Sequence, residues 1–114
     1  MSESSWGLPD ATLAVIRSVL EREPKVKKAI LFGSRAKGTH KPGSDIDLAL
    51  VGEGLDIDTL GRLARAFDES SIPHQVDLCW LAAVEHAPLR EHIERVGQVL
   101  YERAVLIANA AQGG

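Results

Sequence analysis

The sequence is poor in cysteine, in aromatic residues and in long apolar runs. Cys79 is the only cysteine among the 114 residues, which excludes an intramolecular disulfide and favours a reducing compartment. No apolar run approaches the ~18 residues that a membrane span needs, and the amino terminus lacks a basic region followed by an apolar core. We therefore expect a cytoplasmic protein with no membrane partner.

The charge balance excludes another class of partner. A net charge of -3 provides no basic field for a long nucleic acid. Six basic residues nonetheless fall in one short stretch. They either form a solvated face or attract a small anion such as a nucleoside triphosphate. These residues are Lys25, Lys27, Lys28, Arg35, Lys37 and Lys41. The length predicts one domain over residues 1–114.

The apolar patterns predict an α+β fold. Leu13, Ile16 and Leu20 have helical spacing after Pro9 and Asp10. Strands are predicted over 26–32, 45–51 and 75–80, and helices around residues 60–67 and from residue 88 to 96. The apolar segment 99–107 is compatible with either strand or helix. This order favours a small mixed β-sheet with helices packed on it.

Two carboxylates one residue apart are the most informative feature of the chain. If residues 45–51 form a strand, Asp45 and Asp47 point to the same face. Asp45 alone is also explained as a turn cap after Gly43 and Ser44, but a carboxylate at Asp47, inside an apolar strand, calls for a cationic partner. Mg²⁺, which prefers oxygen ligands, fits best.

A glycine-serine loop precedes this pair. Gly33 and Ser34 follow a predicted strand and open a short helical turn, where backbone N–H groups lack intrahelical partners and can bind a phosphate. The alternative is a simple turn and helix cap. Asp77 lies in the third predicted strand, on the face opposite its apolar residues, and is either a neighbour of the metal ligands or a general base. Together these parts suit phosphoryl transfer assisted by two metal ions.

The array LFGSRAKGTHKPGSDIDLAL, in which ten residues separate Ser34 from Asp45, resembles the signature of the DNA polymerase β-like nucleotidyltransferase superfamily. More narrowly, the chain resembles the minimal nucleotidyltransferases, or MNT proteins, that accompany HEPN-domain partners in prokaryotic toxin-antitoxin modules. The segments QVDLCWL and PLREHIERVGQVLYER extend this resemblance over nearly the whole chain.

The resemblance implies an ATP-dependent adenylyltransferase that uses Mg²⁺, with two ions expected. Gly33 and Ser34 would hold the triphosphate, while Asp45, Asp47 and Asp77 would form the catalytic and metal-binding triad. From their positions, Arg35 and Lys37 are further candidates for contact with phosphate. The acceptor would be a hydroxyl, such as a tyrosine, on a HEPN toxin bound in a hetero-oligomer.

Two other functions stay open at this point. The protein could be a non-catalytic antitoxin that neutralises its toxin by occlusion, or a nucleotidyltransferase that acts on a small molecule. The remaining conspicuous side chains are expected to be structural: Cys79 as a small buried residue, Trp80 in the core, and His40, His74, His86 and His92 outside any metal site. Trp6 is either a packing anchor or a partner contact, and the apolar residues of 100–107 are either core or interface.

Overall fold

The computed structural model describes residues 6–39 and 43–103 and shows four strands and four helices in that part of the chain. The elements are, in chain order, α1 (Asp10–Glu21), β1 (Lys28–Phe32), α2 (Ser34–Lys37), β2 (Ile46–Val51), α3 (Ile57–Asp68), β3 (Val76–Trp80), a 3₁₀ turn (Leu81–Ala83), α4 (Ala87–Val96) and β4 (Gln98–Glu102). No helix among these residues is long and apolar enough to cross a membrane.

The four strands form one mixed sheet in the order β3-β2-β1-β4. β1 pairs antiparallel with both β2 and β4. β2 and β3 are parallel, with α3 as the connection between them. A parallel pair requires such a crossover because its two strands run in the same direction. The predicted mixed sheet with helices packed on it is therefore confirmed.

One face of the sheet is covered by α1 and α3. The alternating residues of β2 that point to this face, Ile46, Leu48 and Leu50, have no exposed surface. They belong to one apolar cluster with the helix residues Leu13, Ile16, Leu20, Leu63 and Phe67. The Asp56 carboxylate caps the start of α3. It accepts hydrogen bonds from the backbone N–H of Thr59, at 2.8 Å, and from the Thr59 hydroxyl.

The opposite face is covered only in part, by α4. Ile93 is buried there, and Gly97 brings the end of the helix close to β1: a Cβ atom on Gly97 would lie 2.5 Å from Cγ2 of Ile30. The chain leaves β1, and enters β2 and β3, at the same end of the sheet. That end is where the predicted site residues lie.

The described residues at the carboxyl-terminal end decide between strand and helix, and between core and interface. Residues 98–102 form β4, an edge strand on β1, so the first part of segment 99–107 is a strand. Leu100 and Tyr101 are buried, which assigns them to the core. Val105, Leu106 and Ile107 lie outside the described residues, as do His40 and Lys41.

Candidate active site

The loop after β1 requires glycine at its first position. Gly33 has φ +80° and ψ -156°, a backbone conformation that is essentially reserved for glycine. A Cβ atom at this position would lie only 2.6 Å from Oδ2 of Asp47. Ser34 follows as the first residue of α2, where N–H groups have no intrahelical carbonyl to bond. The backbone of the predicted phosphate loop is thus adjacent to the Asp47 carboxylate.

The three predicted carboxylates lie at the same end of the sheet. In the register of the strands, Asp47 of β2 is opposite Phe32 of β1 and opposite Asp77 of β3. Because β2 and β3 are parallel and in register, Asp47 and Asp77 are neighbours on one face, and Asp45 precedes Asp47 by two residues. Asp45 and Asp77 are exposed, whereas Asp47 is partly buried.

Burial and charge act together on Asp47. Its pKa is raised above the usual carboxyl value, first by desolvation and then by the negative charges of Asp77 and Asp45. Charge interaction with His92 opposes this shift. A raised carboxylate pKa indicates negative charge that the protein leaves largely uncompensated. A bound cation would compensate it.

These carboxylates suit Mg²⁺ better than they suit a metal ion whose ligands all come from the protein. Among residues 6–39 and 43–103, no group of three or more His, Cys, Asp or Glu side chains is arranged so that the group could hold a metal ion by itself. Mg²⁺ is commonly bound by one or two carboxylates, with waters and substrate phosphates as its other ligands. Asp45 and Asp77 are exposed, so water and phosphate oxygens could reach an ion held by Asp47 and Asp77.

Arg35 differs from its predicted role in phosphate contact. Its side chain is buried, with 2% of its surface exposed. Nε and Nη2 donate hydrogen bonds to the Ser44 carbonyl, at 3.2 and 2.9 Å, and Nη1 donates to the Trp6 carbonyl at 3.1 Å. Desolvation lowers the pKa of the guanidinium. We correct the expectation accordingly: Arg35 connects α2 to the residue before Asp45 and acts in positioning. Lys37 is exposed at the end of α2, and its phosphate contact stays a prediction.

His92 is a site neighbour that the sequence analysis missed. Its Nε2 accepts a hydrogen bond from the backbone N–H of Gly33 at 3.3 Å. Its ring packs edge-on against Phe32, with a centroid separation of 6.3 Å. No local sequence pattern predicts this contact, which joins residues 59 positions apart.

Cys79, Trp80 and Trp6 are each partly buried. Cys79 is partly buried on β3, two residues after Asp77, and its thiol pKa is raised by desolvation and by the charge of Asp47. A thiol held protonated in this way is a poor nucleophile. Trp6 and Trp80 both pack against the apolar cluster, so Trp6 is a packing anchor.

Comparison with known proteins identifies the family of this chain. The family described as Polymerase beta, Nucleotidyltransferase matches residues 15–105, and the chain belongs to that family. The probable protein adenylyltransferase MntA of Haemophilus influenzae is 39% identical over 93 residues, which cover 80% of each protein. The resemblance to the nucleotidyltransferase superfamily and to the MNT proteins is confirmed.

Solved structures show the same relationship. A chain in the crystal structure of a toxin-antitoxin with AMP-PNP superposes with a TM-score of 0.67 and 29% identity, covering 80% of this chain and 73% of that one. A chain in the complex of a tri-AMPylated HEPN toxin of Shewanella oneidensis with its MNT antitoxin superposes with a TM-score of 0.58 and 25% identity, covering 82% and 71%.

Proposed function

We propose that this nucleotidyltransferase uses Mg²⁺ to move AMP from ATP onto a hydroxyl, a tyrosine, of a HEPN-domain toxin, and so acts as its antitoxin. The observation that carries the proposal is the register that sets Asp47 beside Asp77, with the Gly33 backbone against the Asp47 carboxylate. The relatives supply the chemistry, since their names include protein adenylyltransferase, AMP-PNP and an AMPylated HEPN toxin.

Each residue of the site has a role in this transfer. Gly33 lets the backbone approach the triphosphate closely, and Ser34 binds the triphosphate through its backbone N–H and its hydroxyl. Asp45 and Asp47 would hold Mg²⁺, expected as two ions, with Asp77 beside them. Bound Mg²⁺ supplies neutralisation of the phosphate charge and of the charge that develops on the entering and leaving oxygens.

Asp77 acts on the acceptor hydroxyl. The acceptor oxygen forms a bond to the α-phosphorus. The bond from that phosphorus to the oxygen between the α- and β-phosphorus atoms breaks, which releases pyrophosphate. Asp77 takes the proton of the acceptor hydroxyl as general base. It is exposed on β3, at the edge of the described sheet, where a side chain of another protein has access. This exposure favours a macromolecular acceptor in a hetero-oligomer. A cytoplasmic location, where ATP is available, is part of the proposal.

Labelled ATP provides the direct test. The protein, Mg²⁺ and its HEPN partner should yield labelled partner, and Asp47→Asn should reduce transfer by at least about a hundredfold, as expected when a metal ligand is lost. Asp58→Asn serves as the control, because Asp58 is an exposed acid in the first turn of α3. No labelling, with Asp47→Asn equal to the wild type, would refute the proposal.

A protection assay separates catalysis from occlusion. A variant that carries both Asp45→Asn and Asp47→Asn should bind the partner and yet fail to protect cells that express it. If this variant protects cells fully, the protein neutralises by binding alone.

A further inference from the structure

α4 places an imidazole next to the phosphate loop. The Gly33 N–H donates to Nε2 of His92 at 3.3 Å, and the same ring lies edge-on to Phe32, with an interplanar angle of 81°. The ring therefore contacts both residues of the Phe32–Gly33 peptide, where β1 passes into the loop.

The position of this ring is fixed by the packing of α4. Nη2 of Arg90 donates to the Leu81 and Val84 carbonyls at 2.8 and 2.9 Å, which ties the first half of the helix to the segment after β3. Ile93, the residue after His92, is 1% exposed. Gly97 closes the other end of the helix tightly against Ile30. A helix held at these points leaves the imidazole little freedom to move away from the loop.

Gly33 has close neighbours on two sides. Its N–H is bonded to His92, and a Cβ atom added to it would lie 2.6 Å from Oδ2 of Asp47. The hydrogen bond fixes the plane of the Phe32–Gly33 peptide, and Gly33 in turn sets the direction of Ser34. It also engages the Gly33 donor, so the loop donors assigned to the triphosphate are the Ser34 N–H and hydroxyl.

From these contacts we infer that His92 is a positioning residue for nucleotide binding, one that orients the Gly33–Ser34 backbone toward the triphosphate. The inference rests on the proposed use of ATP. It adds a residue from α4 to a site otherwise formed by β1, β2, β3 and the loop. It also implies that a disturbance of α4 reaches the nucleotide through a single hydrogen bond.

Two substitutions separate the hydrogen bond from the ring packing. His92→Phe keeps a ring against Phe32 but removes the acceptor, whereas His92→Gln places a carbonyl oxygen near the position of Nε2. His86→Phe is the matched control, because His86 is exposed at the start of the same helix. Calorimetry with AMP-PNP and Mg²⁺ measures binding, and transfer to the partner gives KM and kcat.

We expect His92→Phe to raise the Kd for AMP-PNP and the KM for ATP about fivefold, the factor that corresponds to one neutral hydrogen bond. The kcat should change less than about twofold, because the hydrogen bond orients the loop before the chemical step. His92→Gln should restore most of the affinity, and His86→Phe should match the wild type. If His92→Phe binds as the wild type does, or if the glutamine fails to rescue a folded protein, the inference is overturned.

Nuclear magnetic resonance tests the contact without any activity. In ¹⁵N-labelled protein, a coupling across the hydrogen bond should join the Gly33 amide nitrogen to Nε2 of His92, and it should vanish in His92→Phe. Lack of this coupling in the wild type overturns the inference. A wild type that shows the coupling but binds no AMP-PNP overturns the proposed use of ATP, and the positioning role with it. Equal binding by wild type and His92→Phe overturns the positioning role alone.

Discussion

The two faces of the sheet are built from the same strands and serve opposite purposes. On the face under α1 and α3, Leu48 has no exposed surface and packs in the apolar cluster. On the other face its neighbour Asp47 is only partly buried, and its pKa is raised by desolvation and by two nearby carboxylates. Adjacent residues of β2 therefore differ in kind: Leu48 stabilises the fold, whereas Asp47 carries an electrostatic cost that a bound cation would relieve.

The difference separates the determinants of stability from those of activity. Apolar burial contributes to stability roughly in proportion to the area removed from water. The carboxylates on the opposite face gain little of this kind, because Asp45 and Asp77 stay exposed, although α4 buries Ile93 elsewhere on that face. Substitutions of residues buried under α1 and α3 should therefore reduce stability, while substitutions of the carboxylates should reduce transfer and leave the fold intact.

The largest effect on stability is expected for Leu48→Ala. The substitution removes a fully buried side chain from the covered face, and it should lower the free energy of unfolding by about 2–5 kcal/mol. Urea denaturation followed by circular dichroism measures the loss. Val99→Ala is the control, because Val99 is 49% exposed on β4 and its truncation should cost less than about 0.5 kcal/mol. Equal losses would contradict the distinction between the faces.

Gly33→Ala comes next, since it affects the point where the loop meets Asp47. A non-glycine residue in this backbone conformation costs about 1–3 kcal/mol, and the added methyl group also contacts the Asp47 carboxylate. Gly38→Ala is the matched control: Gly38 also has a positive φ, +78°, but a Cβ atom there meets nothing within 4 Å. Urea denaturation should show the larger loss for Gly33→Ala, and only that variant should lose transfer. Similar behaviour of the two would mean that backbone strain alone matters.

Arg35→Met is expected to cost about 1–2 kcal/mol, because it leaves the Ser44 and Trp6 carbonyls without the buried donor that they share. Arg22→Met removes a single, longer bond at the surface, from Nε to the Ser18 carbonyl at 3.4 Å, and should change stability by less than about 0.5 kcal/mol. Thermal denaturation compares the two. A fully stable Arg35→Met protein with a strongly raised KM for ATP would instead support the original prediction of a phosphate contact.

The sequence predicted the open face well where the signal is local. Alternation in β2 and β3 was enough to set Asp47 and Asp77 apart from their apolar neighbours, and the glycine-serine loop marked the turn beside them. Arg35 was misinterpreted because a basic residue next to such a loop suggests an anion, whereas its carbonyl acceptor at Trp6 lies 29 residues away. His92 and β4 depend on contacts between distant segments, which local patterns do not encode.

The smallest effect, and the one opposite in sign, is expected for Asp47→Asn in the absence of metal. Folding raises the pKa of this carboxyl, so the folded protein holds its proton more tightly than the unfolded chain does. Stability therefore falls as the pH rises from the ordinary carboxyl pKa through the raised value, and the full cost is present above it. The asparagine removes this cost. Because solvent screens a partly buried group, the gain in stability at neutral pH should be below about 1 kcal/mol. It should disappear under acidic conditions, where the Asp47 carboxyl is uncharged in both the folded and the unfolded state.

Melting curves at pH 3 and pH 7.5, with and without Mg²⁺, test this prediction, because pH 3 lies below the ordinary carboxyl pKa. Asp47→Asn should melt slightly above the wild type at pH 7.5 without metal and level with it at the lower pH. Added Mg²⁺ should raise the melting temperature of the wild type and have little effect on the variant, because a ligand that binds only the folded state stabilises it. The control Asp58→Asn should follow the wild type throughout. A variant that melts well below the wild type at pH 7.5 would show that Asp47 supports the fold, and the two faces would then not be separable in this way.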